Sequence, residues 1–426
     1  MIFLIIFVLL VLFNKKLIGS YMNGFLFVFL PYAFIIPFNN YFWKGTFYPV
    51  SSDSMLLMIS SMIVYEIGFF IYYANKKNVR QIYCWNSTPD QIKETYINYR
   101  FVERFIIAVA LYRFAAVILV YLSGGFAAIA RDSFAALDLG FIGGRLVICL
   151  YPAGWLLACR LFSDLSLSKQ LKLKYIFLIL VILCIQFMST VKTHAMVFVL
   201  GIYLISIACD KKNIIKGFIA LVGLVVGLFF GNYAIQWFSI DKTIPSLEYT
   251  IQHFWKYIAG GTINLNGIIS SDNTTYDFFD FWTQVLSPIP NEFLIYIGKP
   301  IVASGKIPYI SGFPNISPVL YELSNVANLF GRFYGAGGLN IIGFVINTLL
   351  FGIITEKAFY EYKIVRTIQS FMLGMAILGY SFLSFFSLYY STSSFWQMLI
   401  YIYLFCAFAS GKITIGKINR RRLYDE

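Results

Sequence analysis

Apolar runs of about 20 residues recur along the whole chain, and only short polar segments separate most of them. A helix of that length crosses the hydrocarbon core of a bilayer. The chain is 59% hydrophobic and 12% charged, whereas an ordinary soluble domain carries about twice that charge. A soluble fold would need one very large core and almost no polar surface. Because lipid cannot hydrogen-bond to the backbone, the sequence predicts an all-α, polytopic bundle of membrane-spanning helices.

The apolar runs predict about eleven spans. No basic segment precedes the first run and no small-residue cleavage site follows it, so we predict a helix there and not a signal peptide. The predicted spans cover residues 1–13, 22–38, 54–74, 105–123, 144–162, 175–190, 194–209, 217–238, 337–355, 368–388 and 395–410.

One connection, residues 239–336, is roughly a hundred residues long, which is unusual for a compact chain. Its prolines, glycines and aromatic residues predict ordered turns and short helices, not a flexible linker. It divides the chain into an N-terminal bundle of about eight helices (1–238), a large extracytoplasmic loop (239–336), and C-terminal spans with a basic cytoplasmic tail (337–426).

The basic residues divide unequally between alternate connections. About 23 of the 33 lysines and arginines follow the odd-numbered spans, and about eight lie in the other connections. By the positive-inside rule the first set is cytoplasmic, which places the N-terminus outside and the C-terminus in the cytoplasm. The net charge of +13 is therefore mainly a signal of topology. Since the basic residues are scattered over short loops, no nucleic-acid partner is predicted.

The sequence lacks the motifs of metal sites and of soluble hydrolases. None of its six cysteines lies in a predicted external loop, so no disulfide is expected. It has no CxxC pair and no Cys/His cluster, so no metal is predicted. GxSxG, P-loop and HExxH motifs are also absent, and no cofactor is expected.

The predicted spans contain two charged residues and a set of regularly spaced glycines. Glu66 and Arg113 lie at similar depth in the third and fourth spans, and we favour a structural ion pair over a transport role. Gly223, Gly227 and Gly231 share one face of the eighth span, which predicts close packing against another helix.

The stretch NLFGRFYGAGGLNIIGF places Arg332 and a glycine cluster beside the ninth span, on the predicted outer side. Helix N-termini favour phosphate because they present free N–H groups and the positive end of the helix dipole. An arginine adds a bidentate donor, and Gly335, Gly337 and Gly338 would let a lipid-linked headgroup approach the backbone. The sequence favours such an anion site over an arginine that only reaches the membrane interface.

Two more predicted outer segments carry candidate substrate contacts. Glycine pairs flank Arg131 in the segment from Ser123 to Arg145, which predicts a re-entrant or interfacial helix whose Arg131 and Arg145 supply a second cationic contact. A tight hairpin, STVKTHAM, carries Lys192 and His194. For His194, an interfacial hydrogen-bonding role and a role as general base both remain open.

The span count, the long outer loop before the last three spans and the run NLFGRFYGAGGLNIIGFVINTLLFG together resemble the Wzy-type polymerases, the bacterial O-antigen and capsule repeat-unit polymerases. FPNISPVLYELSN and SGGFAAIARDSF are similar as well. Some members carry an Arg-x10-Gly pattern in two outer loops. Arg332 and Gly343 fit that spacing, whereas Arg131 departs from it because Gly143 lies one residue late.

The resemblance implies a metal-independent glycosyltransferase with a GT-C-like fold in the bacterial inner membrane. It would transfer glycan from one undecaprenyl-pyrophosphate carrier to another lipid-linked repeat unit on the extracytoplasmic side. Its partners would be the lipid-linked oligosaccharide, the bilayer, a chain-length regulator and a flippase. Arg332 would neutralise the pyrophosphate leaving group, and Glu322 or Asp132 would be the base for the acceptor hydroxyl. Aromatic residues of the long loop, such as Trp282, Tyr309 and Tyr321, would stack on sugars.

Two other classes of protein remain open. A flippase or exporter of lipid-linked oligosaccharide should show internal repeats and an inner cavity, and the sequence shows no repeat. A polysaccharide ligase or membrane acyltransferase that uses histidine should place it near an acidic residue within the bundle. His194 has no such neighbour in sequence.

Overall fold

The computed structural model describes residues 2–74, 76, 96–131, 140–188, 192–210, 213–240, 246–270, 278–294, 297–298, 316–319, 327–336, 341–364 and 367–411. These ranges contain α-helices and short 3-10 turns and no β-strand. The α-helices are α1 Ile2–Ile18, α2 Gly24–Phe42, α3 Ser52–Ala74, α4 Tyr99–Arg131, α5 Gly140–Ser163, α6 Lys169–Met188, α7 Lys192–Cys209, α8 Asn213–Ile240, α9 Leu247–Ile263, α10 Leu265–Ser270, α11 Phe278–Leu286, α12 Pro288–Leu294, α13 Leu329–Ala336, α14 Ile341–Ile364, α15 Ile368–Phe382 and α16 Ser393–Ala409.

Seven helices in the described ranges are long and apolar enough to cross a membrane, namely α2, α3, α4, α5, α8, α14 and α15. The prediction of a helical, multi-pass membrane protein is thereby confirmed. Each of the other four predicted spans also coincides with a helix. The apolar parts of α7 and α16 are shorter, α1 ends with Lys15 and Lys16, and α6 carries three lysines in its first six residues. The total of eleven spans stays a prediction.

The chain forms two compact units that do not follow chain order. The first unit comprises residues 1–84, 243–363 and 374–397, and the second comprises 85–242, 364–373 and 398–426. Both α15 and α16 therefore divide their residues between the units. Below, the ends of helices are called outer or cytoplasmic according to the predicted topology.

In the first unit, α1, α2 and α3 pack against one another, and α14 packs closely on α3. Asn23 starts α2, because its side-chain oxygen accepts a hydrogen bond from the Leu26 N–H at 2.8 Å. The backbones of α3 and α14 are in contact, since a Cβ built on Gly68 would lie 2.6 Å from the Leu349 carbonyl oxygen. Small residues allow that approach between helices in lipid, where no hydrophobic driving force brings them together.

The long predicted loop folds into short helices that enter the outer half of this group of helices. The ring of Phe330 in α13 lies 5.7 Å from Tyr32 and 6.3 Å from Phe351. Tyr32 and Phe351 each lie ten residues from the outer end of their helix, which corresponds to about 15 Å of helix. The first turn of α13 thus packs between α2 and α14, about halfway along these helices and not at their outer ends.

In the second unit, α4 to α8 pack side by side. A Cβ at Gly201 of α7 would lie 2.3 Å from the Trp155 ring of α5, and the Trp155 indole donates to the Phe198 carbonyl at 3.0 Å. The unit carries an ion pair between Lys174 and Glu103. Arg160 lies over the Tyr99 ring at 4.3 Å.

Three sequence expectations about local structure are wrong. The segment from Ser123 to Arg145 was expected to form a separate re-entrant or interfacial helix, but residues 123–131 continue α4, since their alanines favour helix. Residues 132–139 of that segment lie outside the described residues. A Cβ at Gly223, Gly227 or Gly231 would meet no described atom within 4 Å, so this face of α8 is not closely packed. Glu66 is hydrogen-bonded to Asn14 and forms no ion pair within the described residues.

Candidate functional site

Arg332 lies on α13, and the cap of that helix fixes its position. The Asn328 side-chain oxygen accepts a hydrogen bond from the Gly331 N–H at 2.7 Å. The Asn328 N–H donates to the Gly261 carbonyl at 3.1 Å, which joins α13 to the end of α9. Gly331 packs so tightly on α10 that a Cβ would lie 2.9 Å from Ile268. Arg332 itself is half-buried.

Aromatic side chains surround this helix. Phe330 stacks on Phe29 of α2, with ring centroids 5.1 Å apart and planes within 10°. Phe333 contacts Phe281 of α11 at 6.0 Å. The neighbouring Trp282 is half-buried, and its indole donates to the Asn347 side-chain oxygen of α14 at 3.0 Å. These contacts form an aromatic wall against α13, the helix that carries Arg332, in the outer half of the first unit.

One described carboxylate of the short outer helices is buried. Glu292 of α12 is 5% exposed, and it accepts a hydrogen bond from the Gln397 side chain at 2.6 Å. Sequence reasoning did not select it, because nothing in the surrounding SPIPNEFLIYIG distinguishes a buried glutamate from a solvated one. It is a further carboxylate available in this part of the unit.

The structure places the predicted site residues as follows. Arg332 and Gly335 lie on α13 in the first unit, and Gly335 is buried. Arg131, Arg145, Lys192 and His194 belong to the second unit, at the end of α4, in the first turns of α5 and in the first turn of α7. Asp132, Glu322, Gly337, Gly338, Tyr309 and Tyr321 lie outside the described residues. The roles given to all of these residues stay predictions.

A second polar centre lies in the cytoplasmic half of the first unit. Glu356 of α14 is fully buried and receives several donors at the start of α2. The Phe25 N–H donates to it at 2.8 Å, the Tyr65 hydroxyl at 3.1 Å and the Tyr73 hydroxyl at 3.2 Å. Glu356 thus caps α2 from another helix, at the positive end of the helix dipole.

Glu66 lies beside this cap. It is 4% exposed, and one of its oxygens accepts a hydrogen bond from the Asn14 side chain of α1 at 2.7 Å. Sequence reasoning found Glu66 but missed Asn14 and Glu356, because the predicted spans ended at residues 13 and 355. The helices continue past both positions. The sequence could have indicated Asn14 and Glu356, because each is a polar residue that directly follows an apolar run.

Comparisons of the chain with protein-family models, with curated proteins and with solved structures find no match. The function therefore has to be argued from the chemistry of the site.

Proposed function

We propose that the chain is a membrane glycosyltransferase that polymerises undecaprenyl-pyrophosphate-linked oligosaccharide repeat units. The product would be O-antigen or capsular polysaccharide, formed on the extracytoplasmic side of the bacterial inner membrane. The observation that supports this most is Arg332, a half-buried cation on a short helix whose first turn packs among apolar helices. A charged residue in such a position is costly and is usually retained for function.

The chemistry of the transfer explains why an arginine would be needed. The acceptor hydroxyl oxygen attacks the anomeric carbon of the donor sugar, and the bond from that carbon to the pyrophosphate oxygen breaks. Negative charge then grows on the leaving pyrophosphate, and the planar guanidinium of Arg332 would stabilise it through two parallel hydrogen bonds. The hydroxyl proton passes to a carboxylate, for which Glu322 and Asp132 are our candidates.

The aromatic wall suits the other half of the substrate. A half-buried indole such as Trp282 presents an apolar face on which a sugar ring packs, while its N–H is already held by Asn347. Buried aromatic contacts on both sides of α13 would fix the arginine in place before the substrate arrives. Such preorganisation lowers the cost of stabilising the charge.

The test is substitution of Arg332 with polymer length and protein abundance both measured. Arg332→Ala should reduce polymer formation about a hundredfold, since a preorganised donor of this kind is worth about 3 kcal/mol. Arg332→Lys should restore only part of it, because lysine keeps the charge and loses the bidentate geometry. The control is Lys44→Ala, which removes an exposed cation at the outer end of the same unit and should change nothing. Full-length polymer from Arg332→Ala would remove Arg332 from the site.

A deletion strain separates the classes of function. A polymerase predicts single repeat units on the surface lipid, whereas a flippase or exporter predicts no surface glycan. Unchanged polymer would exclude both. The surface glycan should be resolved on a gel, and expression of the chain from a plasmid should restore the long polymer.

A further inference from the structure

The two glutamates of the cytoplasmic polar centre have different hydrogen-bond environments. Both oxygens of Glu356 accept hydrogen bonds, from one backbone N–H and two tyrosine hydroxyls, and the Gly24 N–H also faces it. A carboxylate with that many donors at a helix N-terminus is stabilised in its ionised form. Of the two glutamates, Glu356 therefore has the environment that better stabilises an ionised carboxylate.

Glu66 receives a single donor. Its Oε1 accepts from Asn14 Nδ2 at 2.7 Å, while its Oε2 is buried and has no hydrogen-bond partner among the described residues. Asn14 Oδ1 is also buried and has no hydrogen-bond partner among the described residues, although Asn14 Nδ2 donates to Glu66. Glu66 Oε2 and Asn14 Oδ1 are therefore two buried oxygens that each lack a donor. The side chains that carry them are already joined by one hydrogen bond. Buried acceptors without a donor are rare and costly.

The surrounding charge does not compensate an ionised Glu66. Neither Glu66 nor Glu356 forms an ion pair with a lysine or arginine within the described residues. Two cations at the cytoplasmic ends of α3 and α14 lie against aromatic rings. Lys76, just after α3, lies over Tyr72 and Tyr360, and Lys363 of α14 lies over Phe359. Two neighbouring carboxylates in an apolar interior cannot both stay ionised without a positive charge.

We propose that Glu66 and Asn14 form a proton-binding site. The proton resides on Glu66 Oε2 and is donated to Asn14 Oδ1, while Asn14 Nδ2 donates to Glu66 Oε1. The two side chains then form a cyclic pair of an acid and an amide with two hydrogen bonds in opposite directions, and both unpartnered oxygens are satisfied. The neutral pair also leaves Glu356 as the one ionised carboxylate of the described cytoplasmic polar centre. The site joins α1 to α3 independently of any role in glycan transfer.

A proton fits this site better than a metal ion does. The described residues contain no group of three or more His, Cys, Asp or Glu side chains that could hold a metal. The oxygens of Glu356 are occupied by donors, which leaves only two oxygens without a partner. Hard cations take about six oxygen ligands. One proton satisfies the two oxygens completely.

The experiment is infrared spectroscopy of the full chain in lipid nanodiscs, together with thermal melting. The wild type should show the C=O stretch of a protonated carboxylic acid, shifted by deuteration. Glu66→Gln should abolish that band, while Glu356→Gln should keep it. The control is Glu103→Gln, which removes a glutamate paired with Lys174 and should leave the band unchanged. Absence of the band from the wild type, or its loss in Glu356→Gln only, would overturn the proposal.

Melting temperatures give a second readout. Glutamine has the shape of the protonated acid, and its NH2 group can donate to Asn14 Oδ1, so Glu66→Gln should melt close to the wild type. Glu66→Ala leaves both the N–H and the oxygen of the Asn14 amide buried without a partner, and it should melt roughly 2–6 °C lower. If Glu66→Gln is as unstable as Glu66→Ala, Glu66 is ionised and the proposal fails. Loss of the acid band on adding NaCl to a sodium-free sample would also overturn it, because a metal ion would then occupy the site.

Discussion

Glu356 lies directly against Gly24, the first residue of α2, and leaves no room for a Cβ there. A Cβ on Gly24 would lie 2.7 Å from Glu356 Oε1 and 2.8 Å from the Tyr65 hydroxyl oxygen. Real side chains do not approach that closely, so the carboxylate would have to move. Glu356 would then lose its hydrogen bond from the Phe25 N–H, and a buried charge without its donors is strongly destabilising.

We therefore expect Gly24→Ala to destabilise the protein by about 1–3 kcal/mol, the usual cost of an added methyl group where there is no room. Gly45→Ala is the matched control in the same unit, because a Cβ there meets no described atom within 4 Å. Melting of both variants in one detergent checks the prediction. Equal melting temperatures would show that the Glu356 carboxylate can move away from the added methyl group without destabilising the protein.

The contact between α3 and α14 depends on a pair of glycines distant in sequence. Gly68 lies against the Leu349 carbonyl, and a Cβ on Gly352 would lie 2.8 Å from the Tyr65 carbonyl oxygen. Both near neighbours are backbone atoms, which cannot rotate away as a side-chain end can. The two helices carry Glu66 and Glu356, so this contact also sets the spacing of the polar centre.

Replacing Gly352 by alanine should therefore separate α3 from α14 and lower the melting temperature. Gly227→Ala provides the comparison, since its surroundings on α8 are open and alanine is a better helix former by about 1 kcal/mol. We expect Gly227→Ala to melt at or slightly above the wild type and Gly352→Ala clearly below it. A lower melting temperature only for Gly227→Ala would contradict the assignment of the packed face.

These glycines show what a sequence can and cannot reveal about helix packing. The Gly223, Gly227 and Gly231 stripe is visible in the sequence because it lies on one helix, yet the described residues leave it open. Gly68 and Gly352 form no local pattern, because their partners are backbone atoms of a helix far along the chain. The spacing of glycines within one helix predicts a face of small residues, but only the fold determines whether another helix packs on that face.

Candidate site residues were also missed or misplaced where a helix begins or ends at a different residue from the predicted span. Apolar composition predicted every membrane-spanning helix of the described chain as an apolar run, because that signal extends over many residues. Glu356 was missed because the helix continues to Ile364, beyond the apolar run. Arg332 was expected before a span, but residues 329–336 form a helix of their own whose first turn packs between α2 and α14.

For the molecule as a whole, orientation decides whether the proposed function is possible. The short helices between α8 and α14 include Arg332 and Trp282, and lipid-linked repeat units are proposed to be joined on the extracytoplasmic side only. The orientation was derived from the excess of basic residues on alternate connections. It can be tested at two exposed leucines that the topology places on opposite sides: Leu247 at the start of α9, and Leu165 between α5 and α6.

A single cysteine should be placed at each leucine in a chain whose six cysteines are replaced by alanine. Leu247 is 69% exposed and Leu165 is 82% exposed, so each position should react with a thiol reagent that reaches it. In intact spheroplasts a membrane-impermeant reagent should label Leu247→Cys, whereas Leu165→Cys should be labelled only after lysis. The reverse pattern would place Arg332 on the cytoplasmic side and would exclude the polymerase. Labelling of both in intact cells would mean that the chain inserts in two orientations, and the positive-inside assignment would then be wrong.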